Sequence, residues 1–223
     1  MELTFKGKFG DETFLINKDD YQYNNMDIRF EQFNFYISNV VLVKEGLSGQ
    51  EETELFEIDF VDLSFKPSEI SEAEAGITIK ISNVPVGEYD AIKFGLGVPA
   101  DLNKSSWDEF GEGHPLRRVL HHWAAWESFI FSKTEASVDI DNDGGFVHKL
   151  SYHTGSDAAY RTKYAAKSIT LTKDEVTNVS FDVDAKMMFQ NVDIIQDFGT
   201  HNLANIALIE RIMDNLEEVI TVK

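Results

Sequence analysis

The chain lacks cysteine altogether: none occurs among its 223 residues. Disulfide bonds and thiolate metal sites are therefore excluded. No apolar run approaches the roughly 20 residues that a membrane-spanning helix requires. Residues 1–5 read as a strand, with neither the basic nor the apolar region of a secretory signal. These absences permit a cytoplasmic protein, and they equally permit an exported domain whose signal has been removed.

Basic residues are scarce: Lys and Arg together number 20 against 39 Asp and Glu, which gives a formal net charge of −19. Such a surface repels phosphate backbones and anionic membranes, so we expect neither nucleic-acid binding nor electrostatic docking to a membrane. An acidic chain attracts cations or basic partners, while the simpler explanation is that the charge keeps an extracellular protein soluble. Hydrophobic residues make up 43% of the chain, enough for a sizeable core.

Short alternating apolar stretches dominate the first two thirds of the sequence, as residues 77–82 illustrate. The apolar phase changes near Gln32, which predicts a bulge in a long strand, and residues 142–145 predict a hairpin turn. Apolar spacing over residues 203–216 predicts an amphipathic helix. We therefore expect one domain over residues 1–223. Its predicted fold is mainly β, an antiparallel β-sandwich of the Greek-key, immunoglobulin-like kind, with an irregular His- and Trp-rich insertion and a C-terminal helix.

Signatures of common enzymes are missing as well. Gly95-Leu96-Gly97 lacks the third glycine and the following helix of a phosphate-binding loop. No serine stands between the flanking glycines of a nucleophile elbow, and no pair of histidines brackets a glutamate at helical spacing. Pairs of acidic residues carry no information in so acidic a chain. We therefore expect a non-enzymatic protein, with a hydrolase as the least favoured class.

Histidine is concentrated in one part of the chain. Between positions 114 and 153 lie His114, His121, His122, His148 and His153, and the sixth histidine, His201, precedes the predicted C-terminal helix. Imidazole nitrogens suit copper, zinc, nickel and iron. Histidines on a surface loop usually bind nothing, so their spacing alone leaves both explanations open. Trp123 and Trp126 follow directly, and the simplest explanation of such a pair is that it fills a gap beneath an irregular loop.

A second candidate metal site is an acidic turn. Asp139, Asp141 and Asp143, followed by Gly144, match the first half of a calcium-binding loop. The complete loop requires a carboxylate at its twelfth position, which is Leu150 in this chain. An Asp-rich hairpin turn is the favoured explanation, and a looser calcium site is the alternative.

Several segments taken together resemble one family. Its strand motif lkFYiSnv.L is similar to residues 33–42, its vp.G.Y..i.f.lGv motif to residues 83–98, and its His-Pro-Leu motif to residues 114–116. Its f.HlG strand end is similar to residues 152–155, and its vDv strand to residues 181–184. Each motif alone is weak, but their order over nearly the whole chain is fairly specific. The chain thus resembles the MbnP-like copper-binding family.

The resemblance implies an exported β-sandwich in the periplasm, or one held at the outer membrane or cell surface by a lipid anchor. It also implies a partner, a di-haem enzyme of the MauG and cytochrome c peroxidase type, which in members of the family oxidises a tryptophan to kynurenine. Kynurenine has an aniline nitrogen that tryptophan lacks, and this nitrogen joins histidines in binding copper. Copper is therefore the expected metal.

Four histidines are the candidate copper ligands. His153 occupies the family's His-x-Gly position, and His114 occupies its His-Pro-Leu position. His201 stands where members of the family place a histidine before the last helix, and His122 stands near a usual methionine. We expect His153 to be the strongest candidate because its motif matches most closely.

The tryptophan motif departs from the family pattern. Members usually separate their two tryptophans by one residue, whereas two alanines separate Trp123 from Trp126 in this chain. Either tryptophan is a candidate for the modified residue. The alternative to the copper hypothesis is a binding or adhesion module whose histidines are incidental, steadied by calcium at the turn from Asp139 to Asp143.

Overall fold

The structure, a computed structural model, describes every residue except Asp20, Ser48, His201 and Asn202, and only the backbone of Leu203. The candidate ligand His201 therefore lies outside the described residues. The elements of the described chain are β1 (Glu2–Phe9), β2 (Glu12–Thr13), β3 (Tyr21–Tyr23), β4 (Met26–Gly46), β5 (Gly49–Asp62), α1 (Ile70–Ala75), β6 (Ile77–Lys80), β7 (Gly87–Leu96), β8 (His122–Trp123), β9 (Ser128–Asp139), β10 (His148–Gly155), β11 (Arg161–Leu171), β12 (Asn178–Asp184), α2 (Ile206–Val219) and β13 (Ile220–Val222).

These strands form two sheets. The smaller has the order β13-β12-β1-β2, with β6 also paired to β1. The larger has the order β10-β9-β4-β7-β11, and β3, β5 and β8 pair alongside β4 or β9. The mainly β fold with antiparallel sheets and a C-terminal helix is confirmed. One difference is that β1 and β12 pair in parallel, because the first strand and a strand near the end of the chain meet side by side.

The core lies between the two sheets and is rich in phenylalanine. Phe5 on β1 stacks on Phe181 with 4.9 Å between ring centroids, and its edge meets Phe35 and Phe94 of the larger sheet at 6.2 Å each. Removing such a buried ring costs about 3–5 kcal/mol in comparable proteins. The contacts of Phe5 therefore join the smaller sheet to the larger one.

The predicted bulge in the long strand β4 is confirmed, because its pairing with β9 shifts register between Phe30 and Gln32. Before the bulge Phe30 faces the core, and after it Phe33 and Phe35 do. Successive side chains of a strand point to opposite faces. The bulge therefore turns Asn34 and Tyr36 to the outer face of the larger sheet.

The C-terminal helix α2 confirms the predicted amphipathic helix but begins three residues later than expected, since Leu203–Asn205 form a 3-10 turn instead. Its Met213 sulfur accepts from the hydroxyls of Ser132 on β9, at 3.7 Å, and Thr154 on β10, at 3.1 Å. These two residues face the helix, so their neighbours Lys133 and His153 face the other way. A second, shorter helix, α1, lies between β5 and β6.

Residues 100–127, called here the covering segment, lie over the outer face of the larger sheet. Apart from β8 they contain short 3-10 turns, as expected for an irregular insertion. The Tyr36 hydroxyl donates to the Pro115 carbonyl at 3.3 Å, and the Arg118 guanidinium lies 4.1 Å from the Phe60 ring. No helix of the described chain has both the length and the apolar character needed to cross a membrane.

Candidate metal centre

Three neighbouring strands place a row of polar residues under the covering segment. In the register of the larger sheet, Asn34 on β4 pairs with Lys133 on β9, and Lys133 pairs with His153 on β10. Directly paired residues of antiparallel strands point to the same face. The three side chains therefore stand side by side on the outer face, with neighbouring strands roughly 4.8 Å apart.

His153 lies at one end of this row and contacts a carboxylate. Its Nε2 is 2.6 Å from Oε1 of Glu135, and its side chain is 13% exposed. Because a carboxylate accepts, Nε2 carries the proton in the neutral ring, and Nδ1 holds the lone pair. A carboxylate behind an imidazole is the usual outer partner of a metal-binding histidine, because it fixes the tautomer and makes the ring more basic.

Two stacked tryptophans stand beside His153. The Trp123 ring meets the His153 ring edge to face at 6.1 Å, and Trp126 stacks on Trp123 with 4.6 Å between centroids. Ala124–Trp126 form a 3-10 turn, in which side chains three positions apart eclipse one another. The two-alanine spacer that departs from the family pattern is thus what brings the rings face to face.

Gly155, the glycine of the His-x-Gly motif, makes room for this stack. A Cβ at this position would lie 2.7 Å from the Phe129 carbonyl oxygen and 3.2 Å from the Trp126 ring. Any larger residue would push the turn away from β10. The motif therefore combines a histidine with a glycine that leaves room for the neighbouring tryptophan pair.

His121, which the sequence did not single out, lies in the same place. It is 7% exposed, and its ring sits edge-on to Phe60 at 4.8 Å and to Tyr36 at 6.0 Å. Its Nε2 is 3.1 Å from Oδ1 of Asn34, at the opposite end of the polar row from His153. The only signal in the sequence was the pair His121-His122, whose first member ends a 3-10 turn with its side chain buried, while the second begins β8.

Burial and neighbouring charges keep His121 neutral. Burial is the main cause that lowers its pKa to about 3, and the charges of Lys133, Arg118 and His153 lower it further, against the opposing effect of Glu135. Neutral imidazole is the form that binds metals. His121 is therefore in the metal-binding form at neutral pH, close enough to His153 and Glu135 for their charges to act on it.

Lys133 fastens the covering segment to the row. Its side chain is largely buried, and its Nζ donates to the Leu120 carbonyl at 2.6 Å. Burial lowers the pKa of its amine, and Glu135 opposes that effect. The bond holds the backbone next to His121 against the sheet.

The other predicted ligands lie elsewhere in the covering segment. His122 is half-buried, with its ring edge-on to Phe129 at 5.0 Å. His114 stacks on Phe110 at 4.5 Å, and its Nδ1 accepts from the Leu116 amide at 3.1 Å. In the described part of the chain, neither belongs to a group of three His or acidic residues at metal-binding distance. Their roles as ligands stay predictions.

The acidic turn does bring its three carboxylates together. One oxygen from each of Asp139, Asp141 and Asp143 lies within 4.8 Å of the others, the only such group among the described residues. Asp139 is buried and accepts from the amides of Asp143, at 3.2 Å, and Gly144, at 2.6 Å. These bonds are what an Asp-rich hairpin turn requires, so the turn explains the cluster without an ion.

Comparison with known proteins agrees with this architecture. The family model named MbnP matches residues 1–207, while no curated protein matches the chain. A solved structure, MbnP from Methylosinus trichosporium, is similar over 87% of this chain and 78% of its own, with a TM-score of 0.53 and 13% sequence identity. That likeness shows the fold. With the family model matching more than nine tenths of the sequence, the chain belongs to the MbnP family.

Proposed function

We propose that this chain is an exported, non-enzymatic copper-binding protein, whose site lies under the covering segment at His153. The observation that carries the proposal is the contact of His153, backed by Glu135, with a stacked indole pair, on the same face of the sheet that holds a second, neutral imidazole at the other end of the polar row. The sequence places these groups in three separate segments. The fold brings them to the two ends of a single polar row.

The donor set fits copper. Two imidazoles with a nearby carboxylate and no thiolate are ligands suited to copper, whereas calcium and magnesium prefer oxygen. Bound copper would supply a redox-active ion, and the residues around it hold and orient their nitrogen donors and exclude water.

Trp123 is the residue we propose for oxidation to kynurenine. Its ring contacts His153, whereas Trp126 lies behind it in the stack. Cleavage of the indole C2–C3 bond, with peroxide as the oxidant at the haems of the partner and C2 leaving as formate on hydrolysis, would give an aniline nitrogen beside the histidine ring. Trp123 is half-buried and directly precedes an exposed turn, so a di-haem partner enzyme could act on it from outside.

The proposed location is the periplasm or the outer surface of the outer membrane, where a lipid anchor would hold the protein. The net charge of −19 suits a soluble exported domain. It also attracts cations to the surface in general, so specific binding must be distinguished from charge effects.

The test compares protein purified from its native host with protein made in a host without the di-haem partner. We expect the native protein to retain copper and to show a mass gain at Trp123 by fragment-ion mapping. The partner-free protein should keep unmodified tryptophans. Trp107, which packs against Arg117 instead, is the internal control and should stay unmodified in both. Native protein with three intact tryptophans that binds copper no tighter than His153→Ala would overturn the proposal.

A calcium-steadied binding module is the second candidate. The close approach of the three carboxylates at the turn favours it. It does not compete for the same residues, because the acidic turn and His153 lie at opposite ends of the β9–β10 hairpin.

A further inference from the structure

Burial of the Asn34 side chain destabilises the fold, because one of its polar atoms loses its contact with water and gains no hydrogen bond. The side chain is fully buried, its Oδ1 contacts Nε2 of His121, and its Nδ2 has no hydrogen-bond partner. A buried amide with an unsatisfied nitrogen destabilises a fold, and leucine has nearly the same shape without that penalty. The contact that explains an asparagine here is the one to His121.

This contact decides which nitrogen of His121 is available. The amide oxygen of Asn34 only accepts, so Nε2 of the neutral ring carries the proton and Nδ1 carries the lone pair. Among the described residues, Nε2 is the only ring nitrogen of His121 in a hydrogen bond. Nδ1 lies on the ring edge away from Asn34. The ring is held from the sides by Tyr36 and Phe60, so it cannot turn freely.

The sheet register gives His121 its place relative to His153. Asn34 and His153 occupy the two ends of the row on β4, β9 and β10, two strands apart. His121 stands on Asn34, and Lys133, between the two ends, bonds the Leu120 carbonyl next to it in sequence. The two imidazoles therefore belong to one surface, each with its Nε2 bound to an oxygen of the protein.

We propose that His121 is a copper ligand through Nδ1 and that Asn34 is the positioning residue that holds it in this orientation. The inference rests on the copper site proposed above and adds a ligand that the sequence motifs do not mark. Asn34 acts on His121 as Glu135 acts on His153: each fixes the tautomer of one imidazole from behind. One partner is neutral and the other charged.

The first experiment follows histidine nitrogens by ¹⁵N NMR as copper(I), which is diamagnetic, is added to the metal-free chain without oxygen. We expect the Nδ1 signals of both His153 and His121 to shift at one equivalent, while the Nε2–H of His121 stays bonded. His148 is the matched control, because its Nε2 lies 2.9 Å from the Ile194 carbonyl outside the site, and it should not shift.

The outcomes separate this inference from the proposed function. If neither His153 nor His121 responds to copper(I), both proposals fall. If His153 responds and His121 does not, only the new ligand is disproved. If Nε2 rather than Nδ1 of His121 shifts, the bond to Asn34 breaks on binding and the positioning role is disproved.

The second experiment tests Asn34 itself. Asn34→Leu should weaken copper(I) binding about 10–100-fold, the range for loss of an outer partner. Asn34→Asp keeps an oxygen acceptor beside Lys133, so it should recover most of the affinity. The Nε2–H signal of metal-free His121 should exchange rapidly in the leucine variant and slowly in the aspartate variant. Equal affinities in both variants, with folded metal-free spectra, would contradict the positioning role.

Discussion

The two ends of the β9–β10 hairpin offer metal ligands built in opposite ways. At the turn, three carboxylates come from five consecutive residues, and Asp141 and Asp143 are exposed. At the other end, His153 contacts Glu135 and Trp123, and the covering segment sets His121 on the same face of the sheet. The first end depends on local turn chemistry, and the second depends on the whole fold.

The difference also predicts different metals. Carboxylate oxygens on an exposed turn suit calcium, whereas imidazoles with a hydrogen-bond acceptor behind them suit copper. Backbone amides already satisfy Asp139, so an ion adds little to the turn. At the His153 end of the hairpin, the buried polar side chains do not form a turn of this kind, so turn structure does not explain their positions.

Loss of His153 should have the largest effect. We expect His153→Ala to weaken copper binding by more than about 100-fold, beyond the range for an outer partner. His148→Ala is the matched control, because it removes an imidazole from the same strand outside the site. Isothermal titration with copper would measure both. Equal affinities in the two variants would show that copper does not bind at this end of the hairpin.

Acid should destabilise the imidazole end through His121. Its pKa is about 3 when folded and near 6.5 when unfolded, so between these values the unfolded chain binds a proton that the folded chain does not. Stability is therefore lost as pH falls below 6.5. We expect urea unfolding of the metal-free protein to lose about 2 kcal/mol from this group between pH 7 and pH 5. His121→Gln, which keeps a donor for Asn34 and cannot titrate, should lack that part of the loss; identical pH profiles would contradict a buried neutral imidazole.

Removing the charge behind His153 should have a smaller effect on copper. Glu135→Gln keeps the size of the side chain but replaces the charged acceptor behind His153 by a neutral one, so we expect about a 10-fold weaker affinity. Glu31→Gln is a suitable control, because Glu31 is an acid on the neighbouring strand that pairs with Lys149. If both variants lower affinity equally, general surface charge rather than the contact with His153 is responsible.

Calcium at the acidic turn should have the smallest effect. If the turn holds calcium, millimolar calcium should raise the melting temperature by about 3 °C, and Asp141→Asn should abolish the rise. Asp11→Asn, in an exposed turn elsewhere, should leave it intact. An unchanged melting temperature with calcium or chelator would show that the three acidic residues form a hairpin turn without a calcium site.

Features that depend on consecutive residues could be predicted from the sequence. The phase change near Gln32, the turn at residues 142–145 and the amphipathic pattern of α2 depend on local spacing, and each is found. Features that depend on register could not be predicted. Glu135 is one acid among 39 Asp and Glu, and only its diagonal position on the neighbouring strand sets it beside His153.

His121 shows the same limit. In sequence it is indistinguishable from His122, and the direction of each ring depends on how the covering segment packs on Tyr36 and Phe60. The tryptophan pair falls between the two cases. Its departure from the family spacing was visible, but that a two-residue spacer stacks the rings follows only once the segment forms a 3-10 turn.

The most direct test of the copper site is anomalous diffraction at the copper absorption edge from crystals of the chain grown with one equivalent of copper. We expect one strong peak beside His153 and Trp123, within bonding distance of nitrogen atoms of His153 and His121. A peak at the Asp139 turn, or separate weak peaks at His114 and His148 with none at His153, would contradict it.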